Sequence, residues 1–413
     1  MMKFLSSHTE KTSSNATDDM NLSKKNDLAD VNDIFDECVR GDCEDETESG
    51  KSVIPNFKLS EIYLGDILGV GAFCTVKELL GLDLEETINQ DNSNDHKTET
   101  ECHEEFSINS TDKVRQEKDT KLRKVMMSEN LFRNRNNSEA RYAVKKLRRE
   151  LVGKERYRAM VDLAVEARFL SIIRHPNIIR MRGAAETSQL EDGYFIVVDR
   201  LYDTLEQRIE KWQFEEANMK FKFCFPNCRN IPRVDSKLLW EKFDAANDLA
   251  SALKYLHSKR IMHRDLKPQN IGFDVRNNIK LYDFGLAKKV HSNDIFKYTG
   301  CAGSLRYMAP EVAKCDKYGL SADVYSFGLI FWQILSTDLP FAGFTPKEHN
   351  TLVVNQSVRP KLRLSWSNDW CHLMKKCWTN SIDERLTMTE VFNILGGECY
   401  KLCIDNKKES TRR

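Results

Sequence analysis

The sequence predicts an α+β protein in two lobes, strand-rich first and helix-rich second. Three observations carry this reading. Alternating apolar residues surround a Gly-rich turn in "FKLSEIYLGDILGVGAFCTVKEL" and recur in "RYAVKKL" (141–147) and "GYFIVVDRL" (193–201). From "SKLLWEKFDAANDLASALKYLHSK" onward, apolar residues fall almost throughout at helical spacing. The 413 residues, 40% hydrophobic and 31% charged, supply ample material for a core.

The elements follow in order. Residues 1–55 are acidic, Ser/Asn/Asp-rich and poor in aromatics, and read as a disordered tail. The first lobe spans 57–201. Its strands are interrupted at 82–138, where apolar periodicity is lost and a long polar insertion is expected. The basic run 113–135 inside it reads as solvated insertion, with a basic amphipathic binding segment as the competing reading. The strand "YAVKKL" comes next, then a helix over "RYRAMVDLAVEARFLSII" that stops before "RHPN". The second lobe spans 202–400, with a second insertion at 213–233 after "LEQRIEKW"; residues 401–413 read as a polar tail.

Composition excludes several classes. A formal net charge of +0 provides no global field for nucleic acid or membrane. Twelve cysteines without framework spacing read as reduced thiols, which places the chain in the cytoplasm or the nucleus. The pairs Cys224/Cys228 and Cys399/Cys403 lack the second half of a zinc site. "MMKFLSSHTEKTSS" has too short an apolar run for a signal peptide. "VYSFGLIFWQIL" (324–335) is too short for a membrane span and reads as a buried helix.

One stretch concentrates chemistry: "IMHRDLKPQNIGFDVRNNIKLYDFGLAKK" (261–289). "NIGF" and "IKLYDF" are strand-prone, and "DVRNN" between them has turn chemistry. A hairpin there brings Asp265, Asn270 and Asp283 together beside Lys267. Converging oxygen donors next to a lysine suit Mg²⁺ and phosphate. "GVGAFCTV" (69–76) lets backbone N–H groups approach phosphate, and the strand after it argues against a Rossmann or Walker loop.

"GVGAFCTV", "YAVKKL", Glu166, "HRDLKPQN", "DFG" and "APE" (309–311), in that order, resemble the eukaryotic protein kinase family over about 57–400, the two insertions apart. The resemblance implies the two-lobed kinase fold, ATP and Mg²⁺ as cofactors, and transfer of the γ-phosphoryl group to protein hydroxyls. Lys145 would hold the α/β-phosphates and pair with Glu166. A-x-K spacing and strand alternation select it over Lys146. Asp265 would orient the acceptor hydroxyl and take its proton, Lys267 would stabilise the transferring phosphate, and Asn270 and Asp283 would bind the metal. The nucleotide would lie against Gly69, Val70, Gly71, Ala72, Phe73, Cys74, Val76, Ala143, Val198, Asp199 and Leu201. His263 and Phe284 read as packing, Asp323 as a brace for the catalytic loop, and Glu311–Arg385 as a buried ion pair.

The sequence departs from the family's pattern at two places. Cys74 stands where the loop's third glycine is usual. Gly272 stands where a leucine usually lies beneath the adenine, so either Ile271 and Phe273 cover the base or the pocket is looser. Lys267 and Ser304 favour Ser/Thr acceptors. "DVYSFGLIFW" and "KKCW" resemble the tyrosine-kinase-like group. A pseudokinase scaffold or allosteric module is the alternative, although none of the defining residues is lost. Protein substrates and an upstream kinase acting on Thr299, its phosphate gathered by Arg264 and Lys288, are the implied partners.

Overall fold

A six-stranded sheet occupies the first lobe of the computed structural model, which describes residues 54–83, 120–131, 139–223, 236–290 and 302–411. Its strands are β1 (Asn56–Phe57), β2 (Ile62–Val70), β3 (Cys74–Leu82), β4 (Tyr142–Leu147), β5 (Met181–Ala185) and β6 (Phe195–Asp199), ordered β1-β5-β6-β4-β3-β2. Neighbours run antiparallel except β1, which pairs parallel with β5. Two helices accompany the sheet, α1 (120–129) and α2 (Gly153–Ile172). The apolar stripe of α2, with Leu163, Ala167 and Leu170, is buried.

Helix α1 lies inside the expected polar insertion. Met127 and Leu131 are buried. Lys124 pairs with Glu61 at 2.9 Å and sits 5.1 Å from the Phe57 ring centroid. The Leu131 carbonyl accepts from Arg141 N–H at 2.8 Å. Part of the 113–135 run is therefore a docked helix and not solvated insertion; too few apolar residues are spread along it to register as periodicity. Residues 84–119 are polar, and loop closure changes by only about 0.6 kcal/mol per doubling of length. Deleting 84–118 with a short linker is expected to leave the melting temperature near its original value. Extending the deletion through 138 strips Met127 and Leu131 from their sites, each worth about 1.5–3 kcal/mol when fully buried. Scanning fluorimetry is expected to show a drop of several degrees for the longer deletion alone. A drop of equal size for both deletions would refute the docking role of α1.

The second lobe is helical. It holds α3 (Leu205–Phe223), α4 (Ser236–Ser258), α5 (Pro310–Ala313), α6 (Ser321–Ser336), α7 (Asn368–Cys377) and α8 (Met388–Thr411). Short strands thread the interface side: β7 (Asp203–Thr204), β8 (Ile261–Met262), β9 (Ile271–Phe273), β10 (Ile279–Leu281) and β11 (Lys288–Lys289). Almost all of α6 is buried, as its apolar run predicts. α4 and α7 pack against it, and α8 lies along α4. Phe243 of α4 meets Phe331 of α6 at 5.5 Å and Trp370 of α7 at 4.8 Å between ring centroids.

Two expected boundaries differ. The insertion at 213–233 does not begin where expected, because α3 continues through Phe223. Residues 213–223 are good helix formers without an apolar stripe, and Glu216 accepts from the buried Lys242 of α4. The expected tail at 401–413 continues α8 to Thr411, with Leu402, Cys403 and Ile404 half-buried. The acidic tail at 1–55 lies outside the described residues except for Ile54 and Pro55. Among the described residues no helix is long and apolar enough to cross a membrane.

Candidate active site

Strand alternation sets one side of the cleft. Ala143 and Lys145 share a face of β4. Opposite them stand Glu78 and Val76 on β3, and Val198 and Ile196 on β6. The Lys145 ammonium donates to Glu166 Oε2 at 2.5 Å and to Asp283 Oδ1 at 3.1 Å. Burial alone would push Lys145 down; Glu166 and Asp283 outweigh it and hold the ammonium well above its ordinary value. Lys145 in turn holds Asp283 below the usual carboxylate range against burial, and Lys267 adds to this. Lys146 faces the other way, opposite Thr75 and Phe195, and is pushed down by burial, Arg149 and Lys77.

The expected hairpin forms from β9 and β10, with Ile271 opposite Leu281. Tyr282 N–H donates to the Asn270 carbonyl at 3.0 Å, which places Asn270 beside the Tyr282–Asp283 turn. A closed network surrounds Asp265. Its Oδ2 accepts from Lys267 Nζ at 2.7 Å and Asn270 Nδ2 at 3.0 Å, and its Oδ1 accepts from Ser304 Oγ at 2.8 Å. Lys267 Nζ also donates to Ser304 Oγ at 3.0 Å. Asn270 spends Nδ2 on Asp265, and Asp283 is bonded to Lys145 through Oδ1. Asn270 Oδ1 and Asp283 Oδ2 are therefore two hard oxygen donors with no bond to another described residue, a set that fits Mg²⁺.

Asp323 braces this loop from α6. Its carboxylate accepts from the N–H groups of His263 at 2.9 Å and Arg264 at 3.0 Å, and from His257 at 3.1 Å. The brace holds Arg264 at φ +69°, and Asp283 stands at φ +66°, both in the left-handed region that non-glycine residues avoid. Gly303 at φ +102° lets the backbone there pass close to this loop; a Cβ there would collide with the Arg264 carbonyl oxygen. His263 and Phe284 are fully buried against each other, as expected of packing residues. His257 and Tyr318, whose hydroxyl accepts from Arg264 at 2.7 Å, were not foreseen. Both lie outside the motif strings, so local sequence carried no signal for them.

Beside Gly272, both Ile271 and Phe273 are buried. The Leu201 Cδ1 atom lies 2.6 Å, and Tyr282 Cε1 3.3 Å, from where a Cβ of residue 272 would stand. Leu201 and Tyr282 thus fill the space that Gly272 leaves. In the Gly-rich turn, Gly71 N–H donates to the Cys74 carbonyl at 2.8 Å and Arg148 N–H to that of Phe73 at 2.9 Å. Burial pushes the half-buried Cys74 thiol up to about 12, so it is a protonated, weakly polar group at neutral pH. Cys399 and Cys403 are free thiols, and among the described residues no group of three or more His, Cys, Asp or Glu side chains could hold a metal. Thr299 and the pair Cys224/Cys228 lie outside the described residues.

Residues 130–394 match the family model of the protein kinase domain. A serine/threonine/tyrosine-protein kinase of Arabidopsis thaliana is 33% identical over 159 residues, 38% of this chain and 40% of the relative. A serine/threonine-protein kinase of the same plant is 27% identical over 255 residues, 61% of this chain and 40% of the relative. A provisionally named serine/threonine-protein kinase/receptor of Acanthamoeba polyphaga mimivirus is 32% identical over 248 residues, 59% of this chain and 13% of the relative. The chain thus spans well under two thirds of the length of these relatives. With the family model covering more than half of its residues, and the lobes and cleft arranged as described, the chain belongs to the protein kinase family.

Proposed function

We propose that the chain is an ATP-dependent protein serine/threonine kinase. The observation that carries this is the intact pair of clusters, Lys145–Glu166–Asp283 and Asp265–Lys267–Asn270–Ser304, linked through the hairpin. Asp265 points its carboxylate at a hydroxyl already, that of Ser304, and is placed to orient an acceptor hydroxyl and take its proton. Lys267 lies within reach of the same point and offsets charge on the phosphoryl oxygens. Lys145, held by Glu166, serves the α/β-phosphates. Backbone N–H groups of Gly69–Cys74 cover them. Val76, Ala143, Val198 and Leu201 enclose the adenine, with Asp199 and Leu201 offering hinge backbone. Mg²⁺ would be held by Asn270 and Asp283 and would supply charge neutralisation at the phosphates.

Protein substrates are the partners of this reading, and Ser and Thr the acceptors. The relatives' names and the Lys267–Ser304 pairing support that choice. The free thiols suit a reducing compartment, cytoplasm or nucleus. An upstream kinase acting on Thr299 completes the proposal: Arg264 Nε is buried without a hydrogen-bond partner among the described residues, so the guanidinium has capacity for a phosphate. The test incubates the purified protein with labelled ATP, Mg²⁺ and a generic basic protein, then identifies the labelled amino acid. Label in phosphoserine or phosphothreonine is expected. No transfer under any metal condition would return the chain to a binding role. Phosphatase pretreatment in a parallel arm is expected to lower the rate, as is Thr299→Ala; full activity in both would remove Thr299 from the scheme.

A further inference from the structure

A basic pocket lies in the first lobe, and none of the residues lining it belongs to the phosphoryl-transfer clusters. It has a volume of about 380 Å³ and lies between α1 and the sheet. Four arginines line it: Arg123 from α1, Arg141 at the start of β4, and Arg180 and Arg182 two positions apart at β5. Arg180 just precedes β5 and Arg182 sits at an irregularity in its pairing with β6, and both line the pocket. A carboxylate answers Arg182. Asp199 accepts from Arg182 Nε at 2.7 Å and Nη2 at 3.0 Å. Arg141 and Arg180 are exposed and form no ion pair among the described residues. Like charges are crowded here: burial, Arg182 and Arg123 push Arg180 below its ordinary value, and Asp199 only partly opposes this. In a chain of net charge +0, such a cluster is a local device and not a by-product of composition.

Beyond the arginines the lining is mixed, with the polar Asn130 and Tyr142 and an apolar side. Ile54, Met126 and Met127 stand beside the arginines, and Met126 is 54% exposed at the rim. Guanidinium forks match phosphate oxygens bidentately. A bare phosphate ion would use the arginines and leave the apolar wall wet. We propose that this pocket binds a phosphoserine or phosphothreonine side chain flanked by an apolar residue. The dianion would take the unsatisfied Arg141 and Arg180, and the neighbouring apolar side chain would cover Met126.

The test uses the full chain, dephosphorylated and saturated with Mg²⁺ and a non-hydrolysable ATP analogue so that the nucleotide site is filled. The probes are the peptide Ala-Leu-pSer-Leu-Ala, its unphosphorylated form, and inorganic phosphate, followed by calorimetry. Saturable binding of the phosphopeptide is expected, tighter than either other probe by about tenfold or more, and weakened as much by Arg141→Ala combined with Arg180→Ala. That double variant is expected to keep its ATP-dependent transfer and to melt no lower than the original, since it relieves repulsion. If alanines lower the melting temperature, Arg141→Gln with Arg180→Gln serves instead. Absence of saturable binding, an unphosphorylated peptide bound as tightly, inorganic phosphate bound as tightly, or a double variant that binds like the original would each overturn the proposal.

Discussion

Lys145→Met is expected to lower phosphoryl transfer by about 10²–10³, the usual loss when one preorganised donor is removed from a site of developing charge. Lys146→Met is expected to leave the rate near its original value. The two lysines are chain neighbours, but alternation on β4 sends Lys145 to Glu166 and Asp283 and Lys146 to the opposite face. The loss has a stability component. Removing one partner of a buried ion pair costs about 3–5 kcal/mol in general. Here the cost is expected to be smaller, because the Asp283 side chain is 40% exposed and burial already raises the Glu166 carboxyl, which can take a proton. Adding Glu166→Gln to Lys145→Met should restore stability without restoring transfer. Steady-state kinetics and urea unfolding on the same preparations separate the two effects. Equal losses from Lys145→Met and Lys146→Met would show the strand register to be wrong.

The largest stability effect is expected at Arg385. Its side chain is fully buried, donating to Glu311 through Nη1 at 2.5 Å and Nη2 at 2.8 Å. It also donates to the carbonyls of Thr379 at 2.9 Å and Ser321 at 3.2 Å, and lies 5.2 Å from the Tyr325 ring centroid. It thus ties the segment after α7 to α5 and α6. Arg385→Ala strands the Glu311 carboxylate and two carbonyls, and is expected to cost about 3–5 kcal/mol. Arg385→Lys should recover little, because one ammonium cannot reproduce the planar fork. Replacing both partners, Glu311→Gln with Arg385→Met, should recover much of the loss, since the stranded charge is gone. A midpoint in urea unchanged for Arg385→Ala would show that the pair does not anchor the lobe.

Order along the chain was enough to read the lobes, the hairpin and the cleft clusters. Each depends on short-range rules. Period-two alternation faces Lys145 inward, turn chemistry at "DVRNN" closes β9 on β10, and an apolar run of helical length must be buried, as α6 is. The kinase fold itself was implied by the resemblance those motifs carry. Other features had no local signature. Helix α1 is specified by where Lys124, Met127 and Leu131 land, on Glu61, Phe57 and the start of β4, and those contacts join residues far apart in the chain. The extensions of α3 and α8 are polar helices whose stability comes from neighbours, so they show no amphipathic stripe. The packing around Gly272 is another case. Gly272 announces only a missing side chain; that Leu201 and Tyr282 occupy the space follows from packing, where a void would forfeit contacts and any atom within reach moves in. Likewise, four arginines scattered between 123 and 182 become a single pocket only when β4, β5 and α1 are brought side by side.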